Sequence, residues 1–363
     1  MAEPQSLAPP CRHFGQCGGC TAQHLTDTDY ATWKHGLVAG ALARAGFDAG
    51  IVSPLQRTPP GDRRRFDFAA RRIQGGIALG LHASGSDVLV DIAMCPVLEP
   101  RLERLLEPLR ILLRGLACVR GRADVAANLY DEGPDLLLRL EIPPNAQDRI
   151  RLAAFAEQSA VARIAYVVAA AAAEAAVVRS PPSIRFAGVT VRPPPGAFLQ
   201  ASSVGEGAIV AAVLAGLPRK LPARARIIEL FAGIGTLSFP LATVARVLAI
   251  EGNAEAAVAL RHAAGGTRVE AVRRDLARQP LQKAEFSGAA AVVLDPPYAG
   301  AAAQMPPLAA ADVPRIIYVS CNPTTLARDA RTLRAAGYRL VAATPIDQFL
   351  WSDEVEAVCV FEK

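Results

Sequence analysis

Among the residues whose types and spacing could do chemistry, Cys321 stands out. It closes the run Ile316-Ile-Tyr-Val-Ser-Cys321-Asn-Pro-Thr-Thr-Leu-Ala-Arg328. The β-branched part reads as a strand, and Asn322-Pro323 stops it and turns the chain into a helix. A thiol placed there sits at the carboxyl edge of a sheet, where open α/β folds bind ligands, and can serve as a nucleophile. A cysteine closing a strand is otherwise an inert core residue. The segments around it favour the reactive reading.

A second set of groups suits a nucleoside. The strand Ile227-Ile-Glu229-Leu-Phe231 runs into Ala232-Gly233-Ile-Gly235-Thr236, whose glycines let backbone approach a ligand closely. The next strand, Val247 to Glu251, ends in a carboxylate about 20 residues later, where both ribose hydroxyls can be bound. Asp275 ends a third strand and can face an adenine edge. A fourth, Ala290 to Asp295, meets Pro296-Pro297-Tyr298, a rigid shelf at a strand end. With no Walker lysine and no extended dinucleotide fingerprint, this set points to S-adenosylmethionine rather than ATP or NAD. Near the C-terminus, Glu356 enters a last strand and can point back toward Cys321, although an exposed edge carboxylate is the ordinary alternative.

A third set is inorganic. Cys11, Cys17 and Cys20 are spaced Cys-x5-Cys-x2-Cys among glycines, and Cys95, followed by Pro96, is the best fourth thiol. Zinc and an iron-sulfur cluster can both be held by four cysteines. The isolated ligands favour a [4Fe-4S] cluster over paired zinc knuckles. Cys118 and Cys359 lie in apolar runs and read as core.

These groups need two units to position them. The chain has 363 residues, 52% of them apolar and 20% charged, with a net charge of +5, which fits two globular cores and permits a polyanionic partner. Arg63-Arg64-Arg65, Arg71-Arg72 and Arg273-Arg274 suit phosphate contacts. Residues 1–10 read as a disordered, proline-rich lead-in. Residues 1–185 are expected as one α+β unit, with strands over 66–73, 77–82, 88–92, 136–142 and 164–168 and helices over 102–116 and 148–159. The alanine-rich run 165–178 reads as buried core. Prolines 181, 182 and 193–195 mark the boundary. Residues 186–363 are expected as a mostly parallel, helix-covered sheet of Rossmann type, opening with a helix over 204–217. No signal peptide or membrane span is visible, so a cytoplasmic protein is expected.

The spacing Cys-x5-Cys-x2-Cys with Cys95-Pro-Val-Leu, Phe198-Leu-Gln200, Glu229-Leu-Phe231-Ala-Gly-Ile-Gly, Asp295-Pro-Pro and Tyr318-Val-Ser-Cys321-Asn-Pro together resemble the iron-sulfur-containing RNA uridine-5-methyltransferases. The likeness is to those acting on 23S ribosomal RNA in particular, with the tRNA enzymes as relatives. It implies a class I methyltransferase domain in which Gln200, Phe231, Glu251 and Asp295 surround the cofactor, Cys321 is the nucleophile and Glu356 the base. Glu354 is the competing base. The resemblance also implies a monomer with RNA as partner. Tyr298 stands where that family has Arg, Ser202 and Thr236 where it has Asn, and the family loop Asp-Met-Phe-Pro-His-Thr reads Asp347-Gln-Phe-Leu-Trp-Ser352. The small oligonucleotide-binding barrel of many members is expected to be missing, since the cysteines begin at residue 11. Alternatives are an amino-methyltransferase using Asp295-Pro-Pro-Tyr298 and a non-catalytic RNA-binding redox module.

Overall fold

The apolar runs of the C-terminal half pair into an eight-stranded sheet. In spatial order its strands are Gln56–Arg57, Arg339–Asp347, Glu356–Glu362, Arg315–Ser320, Ala289–Leu294, Arg226–Leu230, Arg246–Glu251 and Val269–Arg273. The last five run parallel, and Glu356–Glu362 is antiparallel to both its neighbours. Strand order reverses between Arg226–Leu230 and Ala289–Leu294, which opens a crevice at the carboxyl edge. Both faces are covered, as the near-continuous Ile, Val and Leu of these strands require. One core gathers Ile228, Val292, Ile316 and Tyr318, the other Ile227, Val293, Ile317 and Val358.

This computed structural model describes residues 7–363; the first six residues of the expected proline-rich lead-in lie outside that range. The helix Asp27–Arg44, capped by Thr26, buries Val38, Ala41 and Leu42 in the core of the eight-stranded sheet. Residues 27–57 therefore cross the boundary expected at 185 and 186. The reason is apolar burial: that helix packs beside the helix Pro323–Ala335, and Gln56–Arg57 extends the sheet edge.

The other unit is a seven-stranded, mostly antiparallel sheet in the order Leu89–Asp91, Gly76–His82, Arg65–Ile73, Arg122–Tyr130, Gly133–Leu140, Arg163–Val168 and Glu174–Val178. The helices Leu106–Gly115 and Ala146–Gln158 bury Leu109, Leu113, Leu152 and Phe155 into its core. Arg122–Tyr130 carries no strand signal in the sequence, since alanines and charges fill most of it; pairing on both edges makes it a strand regardless. The run 165–178 is not the buried core expected of it. It forms two hairpin strands joined by an exposed turn at 169–172, because alanine has too little surface to drive burial. Among the described residues no helix is long and apolar enough to cross a membrane.

Candidate active site and the neighbouring thiol cavity

At the crevice, Phe231 leaves its strand with φ +64°, a left-handed conformation that a bulky residue holds only where its surroundings enforce it. Gly235 follows at φ +103°, where a Cβ would stand 2.5 Å from the Phe239 ring. The turn therefore needs glycine there. Glu251 accepts from Gly233 N at 2.7 Å and Asn253 N at 2.6 Å, which fixes the carboxylate and leaves lone pairs for ribose hydroxyls. Asp275 lies two residues past its strand, exposed on the same cleft, with Oδ1 accepting from Ala277 N at 3.0 Å. Behind the loop Glu229 is buried against Ser238 Oγ, and burial first, then Asp295 and Glu251, push its carboxyl up to about 8.

Cys321 lines the same cleft. The antiparallel pair Ser320–Ala357 means that one further step of the register sets Cys321 opposite Glu356. Asn322 caps the following helix, accepting from Thr324 N at 2.9 Å, with Pro323 in its first turn. Glu356 is 2% exposed, and its Oε1 has no hydrogen-bond partner. Burial and the nearby Asp295 hold its carboxyl well above the usual range. Asp295 accepts from Gln200 Nε2 at 3.0 Å and is pushed up to about 7 by burial. Burial, then Glu356, Asp295 and Glu354, push the Cys321 thiol up to about 12. Phe198 and Tyr298, both exposed, flank the opening, and the Arg65 guanidinium stacks over Phe198 at 4.9 Å.

The cleft's rim is held from far along the chain. Fully buried Lys34 pairs with Asp347 at 2.9 Å and donates to the carbonyls of Phe349, at 3.0 Å, and Glu354. Tyr30 OH donates to Asp347 at 2.7 Å and accepts from Trp351 N at 2.8 Å. Glu354, the competing base, faces the neighbouring cavity instead of the cleft.

That cavity collects Cys11, Cys17, Cys20 and Cys95 with Arg63 and Glu354. Gly18 lies against the second sheet, where a Cβ would stand 2.8 Å from His82 O. Burial raises the thiols of Cys17, Cys20 and Cys95, the last to about 12. Cys118 and Cys359 are buried in cores, as expected. Among the described residues no three His, Cys, Asp or Glu side chains close on a single ion. Thr21 N and Ala22 N donate to Trp351 O at 2.7 and 3.0 Å, so this cavity adjoins the loop over the active site.

The crevice with its sheet order defines an α/β methyltransferase fold. The tRNA (Uracil-5-)-methyltransferase family model matches residues 271–363. An uncharacterized RNA methyltransferase of Brucella suis biovar 1 is 42% identical over 100% of this chain and 86% of its own. The 23S rRNA (uracil(1939)-C(5))-methyltransferase of Pectobacterium atrosepticum is 33% identical over 99% of this chain and 80% of its own. The structure of Pyrococcus abyssi tRNA (uracil-54, C5)-methyltransferase in complex with S-adenosyl-L-homocysteine superposes with a TM-score of 0.71 over 96% of this chain and 86% of that one, at 20% identity. The chain belongs to the RNA (uracil-5-)-methyltransferase family and is an S-adenosylmethionine-dependent enzyme of that class.

Sequence reasoning passed over Gln348, Glu229 and Phe349 as site residues, although all three stand in or beside quoted motifs and the last two line the cleft. Their signal would have been a polar or aromatic residue at the end of a buried strand. Three acids with raised pKa in one cleft make binding of a cation pH-dependent. A sulfonium favours their ionised forms, so binding releases protons and affinity rises with pH between the ordinary carboxylate range and about 8. Titration calorimetry should show S-adenosylmethionine gaining up to about tenfold per pH unit for each carboxyl that ionises on binding. Neutral-sulfur S-adenosylhomocysteine should gain less; equal slopes for the two would contradict this.

Proposed function

We propose that this enzyme forms 5-methyluridine in 23S ribosomal RNA, with Cys321 as nucleophile and Glu356 as base. The observation that carries the chemistry is the strand register that sets Cys321 opposite Glu356 in a cleft shared with Asp295 and Gln200. Carbon 5 of uracil is a weak nucleophile, and covalent addition at carbon 6 makes it reactive. The Cys321 thiolate adds to carbon 6, leaving an enolate whose carbon 5 is nucleophilic. S-adenosylmethionine supplies the methyl group, which moves to carbon 5 as S-adenosylhomocysteine leaves. Glu356 then removes the carbon-5 proton, and the Cys321 thiolate departs as the 5,6 double bond re-forms. Gln200 and Asp295 hold the ring and its surroundings, while Phe231, Gly233, Glu251 and Asp275 hold the nucleoside of the cofactor. The uridine reaches the cleft unpaired or flipped, with Phe198 and Tyr298 as stacking faces for its neighbours.

Cys11, Cys17, Cys20 and Cys95 would hold a [4Fe-4S] cluster. Four thiols line one cavity, the number a [4Fe-4S] cluster takes, and Arg63 offers a positive charge beside them. The cluster would crosslink the N-terminal segment to the arginine-bearing sheet. Protein purified without oxygen should carry about four irons per chain, and Cys95→Ala should lose them; iron-free wild-type protein would refute the assignment.

The ribosomal assignment rests on likeness to the 23S enzyme across nearly the whole chain. Mass-spectrometric mapping of RNA from a deletion strain tests it. Loss of one methyl from 23S RNA is expected; loss from tRNA would move the substrate to that class, and loss from neither would overturn the reading.

A further inference from the structure

Gln348 belongs to none of the groups assigned above, yet it is 3% exposed and its amide is fully used. Ala201 N donates to Gln348 Oε1 at 3.1 Å, which fixes which end of the amide faces the site. Both N–H groups then point the other way. One donates to Gln200 Oε1 at 2.8 Å and the other to Glu356 Oε2 at 2.5 Å. Gln200 passes its own Nε2 to Asp295. A single line of hydrogen bonds therefore runs Glu356, Gln348, Gln200, Asp295, joining the two acids of the cleft through two amides.

The backbone supports this placement. Asp347, immediately before it, is locked by Lys34 and Tyr30. Gly205, in the first turn of the helix Ser203–Ala215, lies so close that a Cβ there would stand 2.7 Å from Gln348 Cβ. No other rotamer of Gln348 is needed to satisfy its polar atoms, and no water is needed either.

We propose that Gln348 is a positioning residue for the carbon-5 deprotonation: it fixes Glu356 through Oε2 and leaves Oε1 free for the substrate proton. The inference rests on the reading of Glu356 as base. The titratable groups facing Glu356 are Asp295 from the end of the Ala289–Leu294 strand, Cys321 from the end of Arg315–Ser320, and Glu354 from the preceding loop. Burial first, then Asp295 and Glu354, oppose its ionisation, and the Gln348 donor acts against them. Methionine, which the family loop carries at this position, removes both donors while filling the site, so the variant asks whether this chain's base depends on its own amide.

The test uses the full-length enzyme and an RNA substrate. In Gln348→Met, and in Gln348→Asn, whose shorter amide cannot span both partners, kcat should fall roughly 10- to 100-fold, less than the roughly 10²- to 10⁴-fold effect of losing the acid-base group itself. KM for RNA and the affinity for S-adenosylhomocysteine should stay within about twofold. Two signatures separate this from structural damage. Methylated RNA should remain covalently attached to the protein during turnover, seen as a shifted band in denaturing gels. The acid limb of the kcat profile should move to higher pH, with activity recovering as pH rises. A slower enzyme with neither signature, or an unchanged enzyme, overturns the proposal. Glu356→Gln serves as the control: if it traps no adduct, the base assignment itself has failed, whereas a trapped adduct there with none in the Gln348 variants defeats the Gln348 inference alone.

Discussion

Replacing Cys321 by alanine should abolish methyl transfer to RNA, by roughly 10⁴-fold or more, as removal of a covalent nucleophile generally does. S-adenosylmethionine affinity should remain, because the thiol stands at the base end of the cleft. The expectation follows from placement as much as from residue type. Cys321 follows directly on a central strand, Asn322 and Pro323 turn the chain into a helix just past it, and it lines the cleft beside Asp295 and Glu356. Burial first, then the surrounding acids, push the thiol up to about 12, so it is a poor nucleophile until a cation enters the cleft. Alkylation by iodoacetamide should accordingly be slow in the free enzyme. Trapping on 5-fluorouridine RNA checks the same point: the wild type should form a stable complex and Cys321→Ala none. Full activity in Cys321→Ala would move the chemistry to an exocyclic amine held by Asp295-Pro-Pro-Tyr298, a reaction that needs no thiol.

The second large effect is on stability. Lys34→Met leaves Asp347 as a buried carboxylate stripped of its cation, and loss of one partner of such a pair costs about 3–5 kcal/mol. Lys34 is raised by Asp347 but depressed more by burial, so the pair is tightly balanced and intolerant of half-removal. Lys34→Met combined with Asp347→Asn should recover much of the loss, since no charge is then stranded. Urea unfolding midpoints of the three proteins decide; a single mutant within about 1 kcal/mol of wild type would show the pair to be dispensable.

The parts of the site legible in the sequence lie where strands meet Gly or Pro. Glu251, Asp295 and Cys321 each terminate an apolar run, and punctuation of that kind fixes where a side chain emerges without knowledge of the fold. Glu356 was legible only as one of two nearby carboxylates. What separates it from Glu354 is pairing with Ile346 and its place beside Ala357 in the sheet, which sequence periodicity does not carry. Gln348 was invisible for a related reason: its partners Ala201 and Gln200 come from a distant segment and Glu356 from the strand after its own loop, and a polar residue in a loop ordinarily faces water. The segment of the helix Asp27–Arg44 fell in the expected 1–185 unit by its place in the chain, and place in the chain does not say which core a helix buries a face against.

Tyr30 and Asp347 are 317 positions apart in the chain, and the strand bearing Glu356 leaves the ribosome after all the other described strands. A nascent polypeptide therefore lacks both the clamp and the base until synthesis has passed residue 356, and contacts of such long range close late in folding. Incomplete chains bearing Cys321 can reach RNA through their arginines, yet they have no means of finishing a turnover.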